Sequence, residues 1–138
     1  MPSALRVEQR SAGRTTARLA MPARNLTDRA VIATDLSGKI VFWNRMAEEI
    51  YGWKWQEVMG RQITELVVPS SAQAEASTIM DQLRSGKSWS GEFKLQRRDG
   101  TEFVGRVTDH PMPDVNGNLI GIIGVSEPND KTSGAPTA

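Results

Sequence analysis

The chain predicts an α+β fold: a five-stranded antiparallel sheet with short helices and one longer helix on one face. Three observations carry this expectation. Five stretches have strand patterning, around Val31–Ala33, Lys39–Trp43, Ser88–Arg97, Thr101–His110 and Leu119–Val125. Asp- and Gly-containing turns separate neighbours: Asp35-Leu36-Ser37-Gly38, Arg98-Asp99-Gly100 and Asp114-Val115-Asn116-Gly117. Between the second and third strands, Ser70–Ser85 places Ile79, Met80 and Leu83 at helical spacing, after Ala72 and Ala76.

In chain order, Val31, Ile32 and Ala33 suit a half-buried strand. Gly38 gives the first turn a residue that tolerates positive φ, and Asp35 and Ser37 can bond back to its backbone. Lys39–Trp43 then alternates, which predicts Ile40 and Phe42 on one face and Val41 and Trp43 on the other. Asn44 is a good N-cap for a short helix whose apolar side is Ala47, Ile50 and Tyr51, and Gly52 ends it. Of Trp53 and Trp55, one is expected to plug the core and the other to lie half exposed. Gly60 closes that turn, and Ile63, Leu66 and Val67 give one more helical turn before Pro69. Ser70 or Ser71 caps the long helix and Gly86 ends it, so Ser71–Arg84 should be mostly helical. Trp89, Gly91, Phe93 and Leu95 then share one strand face. Phe103, Gly105, Val107 and Asp109 share the answering face of the next strand, which Pro111 and Pro113 should end. Leu119–Val125 is apolar on both faces and suits a central strand.

Composition bounds the rest. At 138 residues the chain is long enough for one domain with a real core, and 38% hydrophobic with 24% charged residues fits an ordinary soluble globule. A net charge of +1 argues against a chain built to hold nucleic acid. Cysteine is absent, which removes disulfides, thiolate metal sites and cysteine nucleophiles and fits a reducing, cytoplasmic setting. No apolar run approaches a membrane span. Residues 1–24 carry most of the local basic excess and read as a leader, partly disordered or a short helix over Thr15–Met21. Residues 25–127 read as the folded domain and 128–138 as a disordered tail.

The order of these motifs resembles a known family. Asp35-x-x-Gly38-x-Ile40-x-x-x-Asn44, the helix ending in Tyr51-Gly52, and Glu57-Val58-Met59-Gly60 resemble the opening half of a PAS sensor domain. Trp89-Ser90-Gly91-Glu92, Arg98-Asp99-Gly100-Thr101 and Gly117-Asn118-Leu119-Ile120-Gly121 continue in the family's order, so the resemblance covers Thr27 to Ser126. It implies a PAS-like fold whose short helices wall a ligand cavity, and a role in signal transduction. The family often continues into a signalling helix opened by Asp-Ile-Thr. Here Glu127-Pro128-Asn129 stands at that place.

The residues also bear on chemistry. One histidine, no cysteine and no Gly-rich phosphate loop leave nothing that reads as a catalytic constellation, so the chain is expected not to be an enzyme. Flavin-adduct photosensors resembling this family need a cysteine where Gly60-Arg61-Gln62-Ile63-Thr64 places Ile63. Their flavin-holding amides align with Leu95, Gly105 and Ser126. The resemblance therefore argues against adduct-forming FMN. It argues against haem as well, because Ser70–Ser85 lacks a histidine and His110 falls at a strand end. Non-covalent FAD, which needs no single reactive residue, stays open, and Trp89 matches a tryptophan often seen in FAD-type members.

The expected function is a sensory domain that binds a small, mainly apolar ligand or aromatic cofactor between sheet and helices and passes a packing change to an output domain or partner subunit. The expected lining is Ile32, Ile50, Ile63, Ile79, Leu83, Phe93, Leu95, Gly105, Val107 and Ile122, with Asp109 as its one polar member, near the strand end where water reaches it. Gly105 is expected to leave space on the inner face. The alternative is a ligand-free interaction and dimerisation module. A homodimer is expected through the outer sheet face, using Val41, Trp43, Val104 and Val125, together with the N-terminal segment. Neither nucleic acid, membrane nor metal is expected as a partner.

Overall fold

The computed structural model describes residues 28–129. The leader, its expected helix and the tail from residue 130 lie outside the described residues. Five strands form one antiparallel sheet: β1 (Ala30–Asp35), β2 (Ile40–Trp43), β3 (Trp89–Gln96), β4 (Glu102–Pro113) and β5 (Leu119–Pro128), in the spatial order β2-β1-β5-β4-β3. Between β2 and β3 come α1 (Arg45–Tyr51), α2 (Trp55–Val58), α3 (Ile63–Val67), a 3₁₀ turn at Ser70–Ala72 and α4 (Gln73–Arg84). The last strand of the chain is central, which accounts for its apolar residues on both faces.

Helix α1 is fixed at both ends. Asn44 Oδ1 accepts from the N–H of Ala47 as N-cap and also from the N–H of Val31, so one side chain ties the helix start to β1. Gly52 takes the left-handed conformation at φ 84°, and its N–H bonds the Glu48 carbonyl. Beyond it, the β3–β4 turn reaches back. Arg98 N–H donates to the Tyr51 carbonyl, and Arg97 Nε donates to the Ile50 carbonyl. The free carbonyls at the helix end are thereby satisfied.

The sheet departs from simple alternation in two places. Ile32 faces Trp43 and Ala33 faces Phe42, but Thr34 faces Ile40. Val41 is the extra residue of a β-bulge, which turns Ile40 and Trp43 toward the same side. The expected outer position of Trp43 is therefore wrong. Trp43 is buried in the core at 5% exposure, and its indole N–H donates to the Trp53 carbonyl. Phe42 takes the outer face opposite Ala33. Strand β4 also does not end at Pro111 but runs through it to Pro113. β3 begins at Trp89, opposite Asp109, so β4 past that point has a free edge where a missing N–H costs no ladder bond.

At the other end, β5 runs on to Pro128, and Asn129 N–H donates to the Val104 carbonyl, so the sheet extends slightly into the stretch expected to be tail. The long helix opens with the Ser70–Ala72 3₁₀ turn rather than a serine cap, and its α-helical part starts at Gln73. The edge of β2 is covered by backbone bonds to the α2–α3 segment: Ile40 N–H to Arg61 and Gly60 N–H to Ile40.

The core lies between the inner sheet face and the helices. Ile32, Ile40, Trp43, Tyr51, Val58, Leu66, Ile79, Leu83, Phe93, Leu95 and Ile122 belong to one buried cluster. Each such side chain contributes about 1.5–3 kcal/mol on burial. Trp53 packs against this cluster with the Arg61 and Arg98 guanidinium groups over its ring, and Trp55 is about half exposed, as the sequence suggested.

Candidate functional site

The core is incompletely filled. A cavity of about 110 Å³ lies between the inner sheet face and the α3–α4 wall. The sheet supplies Ile32, Thr34, Phe93, Leu95, Val107, Asp109, Ile122, Gly124 and Ser126, with Trp89 at the near end of β3. The helical wall supplies Tyr51, Ile63, Thr64, Val67, Val68, Ala76, Ile79 and Met80. Thr64 and Met80 also border a polar recess of about 200 Å³ lined by Ser37, Gly38, Gln62, Gln73, Ser77 and Arg84, so these two side chains partition the spaces.

Eight of the eleven expected lining residues meet at this cavity: Ile32, Ile63, Ile79, Phe93, Leu95, Val107, Asp109 and Ile122. Ile50, Leu83 and Gly105 do not. Leu83 is fully buried within the core, and Ile50 packs only part of its surface against it. Gly105 does not leave space, because Leu95 Cδ1 occupies the position where a Cβ would stand.

The polar lining was mostly missed from sequence. Tyr51 projects from the last turn of α1, and its hydroxyl shares a 2.7 Å hydrogen bond with Ser126 Oγ. Burial pushes the Tyr51 hydroxyl up to about 12, and the nearby Asp109 charge adds to this against the Ser126 bond and Arg97. Thr34 is buried on β1, and its Oγ1 has no hydrogen-bond partner among the described residues. Inner-face alternation from Ile32 would have found Thr34, and the stripe Ala47–Tyr51 would have found Tyr51.

Asp109 is the most informative member. In register it stands between Trp89 on β3 and Gly124 on β5. Its carboxylate lies across Gly124, where any Cβ would collide with Oδ1. Gly124 is thus the residue that lets a carboxylate lie along the sheet inside the cavity. Among the described residues nothing donates a hydrogen bond to that carboxylate, and burial raises its pKa to about 7. Asp109 does not stand at the strand end, because β4 continues past it to Pro113, but it keeps partial exposure to water.

The donor set does not fit an adduct-forming flavin. Ile63, which the family resemblance aligns with the reactive cysteine, lines the cavity with an apolar side chain, Leu95 fills the space beside Gly105, and Ser126 is engaged with Tyr51. The cavity is also well below the 300–1,000 Å³ usual for cofactor-sized ligands. A flavin ring would require the helical wall to move. Among the described residues, no group of three His, Cys, Asp or Glu side chains could hold a metal ion, and no helix is long and apolar enough to cross a membrane.

Sheet order and helical wall together define an α+β domain of one antiparallel sheet covered by helices on one face, and the comparisons give its family. The family model described as PAS fold matches residues 24–128, and the chain belongs to that family. It is 35% identical over 74 residues to phototropin-2 of Oryza sativa subsp. japonica, a match covering 54% of this chain and 8% of that protein. The chain therefore spans less than a tenth of that relative. The crystal structure of a PAS domain from a Colwellia psychrerythraea protein is 25% identical, with a TM-score of 0.68, covering 82% of this chain and 98% of that one. An RNA-binding light-oxygen-voltage receptor shares the fold alone, at 22% identity and a TM-score of 0.70, covering 86% of this chain and 35% of that one.

Proposed function

We propose that this domain is the sensory part of a signalling protein, acting by ligand binding rather than catalysis. The carrying observation is the half-open, largely apolar cavity, with the Asp109 carboxylate and the unpartnered Thr34 hydroxyl in its lining. Buried polar groups ordinarily have partners; the buried Thr34 hydroxyl has none, and the partly exposed Asp109 carboxylate beside it receives no protein donor, which suggests that a ligand supplies one. The cavity's size and lining favour a small ligand over FAD. Ile79 and Met80 come from α4, so an occupant presses directly on the long helix. A shift of α4 against the sheet is the change an output domain or subunit would read. Titration of the full chain with toluene, followed through isoleucine methyl NMR signals, tests this reading. Shifts concentrated at Ile32, Ile63, Ile79 and Ile122, abolished in Ile79→Trp, are expected. No binding of toluene or of a polar one-ring analogue would overturn it.

Dimerisation through the outer sheet face is a second reading. It is favoured by Val41 and Val104, 36% and 45% exposed, and by the half-buried Phe42, Ile123 and Val125 on that face. Trp43 no longer belongs to it, and Phe42 takes its place. Light scattering at micromolar concentration should give a dimer mass that Val41→Lys/Val104→Lys reduces to the monomer. A monomer mass for the unmodified chain ends this reading.

A further inference from the structure

We propose that the cavity takes a one-ring aromatic base, a small heteroaromatic or aryl amine, whose nitrogen donates to Asp109 while its ring lies among Ile32, Ile79 and Trp89. This rests on the ligand-binding reading above and specifies the ligand's chemistry. Size sets the first limit. A space of about 110 Å³ admits no more than one ring, since an apolar cavity of about 150 Å³ is the size that accepts benzene. Side walls of Ile32, Ile79 and Ile122 favour a flat apolar body, and the Trp89 indole, next to Asp109 across the β3–β4 ladder, offers an aromatic surface for it.

The polar floor selects among such rings. Tyr51 and Ser126 already satisfy each other. Asp109 and Thr34 Oγ1 have no partner among the described residues, and Asp109 is held over Gly124 where its carboxylate can meet an occupant. Benzene or an alkane would displace water from both groups and give neither a partner, which costs binding energy. An acidic ligand would bring a second negative charge beside Asp109, and the cavity lining contains no Lys, Arg or His to offset it. A base supplies the missing donor and, when protonated, the missing charge. Trp89 favours a cationic ring further. A second N–H or ring nitrogen can engage the Thr34 hydroxyl, which both donates and accepts.

The test uses the full chain and three probes, 2-aminopyridine, toluene and benzoate, titrated against isoleucine methyl signals. At least tenfold tighter binding of 2-aminopyridine than of toluene is expected, with no binding of benzoate. Asp109→Asn should retain toluene and lose the preference. Gly124→Ala, whose new Cβ displaces the Asp109 carboxylate without removing its charge, should also lower the preference and serves if Asp109→Asn misfolds. Equal affinities in the unmodified chain, tightest binding by benzoate, or a preference that survives both substitutions would overturn the inference while leaving the cavity as a ligand site. Failure of toluene and 2-aminopyridine alike would overturn the ligand-binding reading itself, and the inference with it.

Discussion

The hairpin turns and the inner sheet face use aspartate in opposite ways. At the turns one oxygen of each carboxylate takes two or three hydrogen bonds. Asp35 Oδ1 accepts from the Ser37 N–H, the Ser37 hydroxyl and the Lys39 N–H. Asp99 accepts from the Thr101 N–H and hydroxyl, and Asp114 from the N–H groups of Asn116 and Asn118. Partial burial alone would raise Asp35, but the bonds from Ser37 and Lys39 outweigh it and hold it below the usual range. The Thr101 N–H and hydroxyl hold Asp99 low. On the inner face Asp109 has no donor, and burial raises it to about 7. A hydrogen-bonded carboxylate closes a local turn; one without a protein donor beside a cavity is what the proposed ligand site rests on.

The largest expected consequence is an inverted pH dependence. Asp109 binds its proton more tightly folded than unfolded, so stability falls as pH rises from the unfolded value through the folded one. With the partial exposure of Asp109 allowed for, the loss between about pH 4 and pH 8 is on the order of 1–3 kcal/mol. Tyr51, the titratable group facing Asp109, stays neutral throughout that window because it is raised to about 12. Urea unfolding across this range should show the decline in the unmodified chain and a flatter curve in Asp109→Asn. Identical slopes would mean that Asp109 is as well solvated as the turn carboxylates, and the contrast would collapse.

The next two effects compare satisfied and unsatisfied polar groups within the cavity. Tyr51→Phe strands the buried Ser126 hydroxyl and should cost about 1–3 kcal/mol. Thr34→Val removes a hydroxyl that has no partner while keeping its shape, so a gain of about 1 kcal/mol is expected. Urea midpoints at pH 7 measure both. A loss in Thr34→Val as large as that in Tyr51→Phe would show that the Thr34 hydroxyl is paired after all.

The same contrast explains what was legible in the sequence. The turns were, because Asp35, Gly38 and Lys39 act within five positions. So were the Asn44 cap, the inner rows of β3 and β4, and the central place of β5. Trp43 was misplaced because one bulge at Val41 reverses the face of every residue after it, and no local pattern announces the bulge. Pro111 reads as a stop, which puts Asp109 near a strand end; β4 runs on to Pro113 instead, and the setting of the partly exposed Asp109 depends on where β3 begins and on Gly124 lying opposite. Gly105 and Gly124 look alike in sequence, yet Leu95 fills the space over one and Asp109 lies over the other. Cross-strand register decides these cases, and register is a property of the assembled sheet.

The smallest expected effect sharpens the comparison from the turn side. Asp35→Ala removes three hydrogen bonds, but the turn keeps its backbone bonds from Asp35 N–H to the Lys39 carbonyl and from Gly38 N–H to the Asp35 carbonyl. Gly38 also keeps its φ of 92° without strain. Water replaces the lost acceptor at this exposed site, so the cost at pH 7 should be about 1 kcal/mol. Its pH dependence carries the information. Asp35 is held lower folded than unfolded, so its stabilisation is present above the unfolded value and disappears as pH falls through the folded one. The Asp35→Ala and unmodified curves should therefore converge as the pH falls below the ordinary carboxylate range. The Asp109→Asn curve, measured alongside, should diverge from the unmodified one in the other direction, above pH 4. Convergence of both variants at the acid end alone would place Asp109 among the ordinary turn carboxylates and remove the physical basis for a charged reader on the cavity floor.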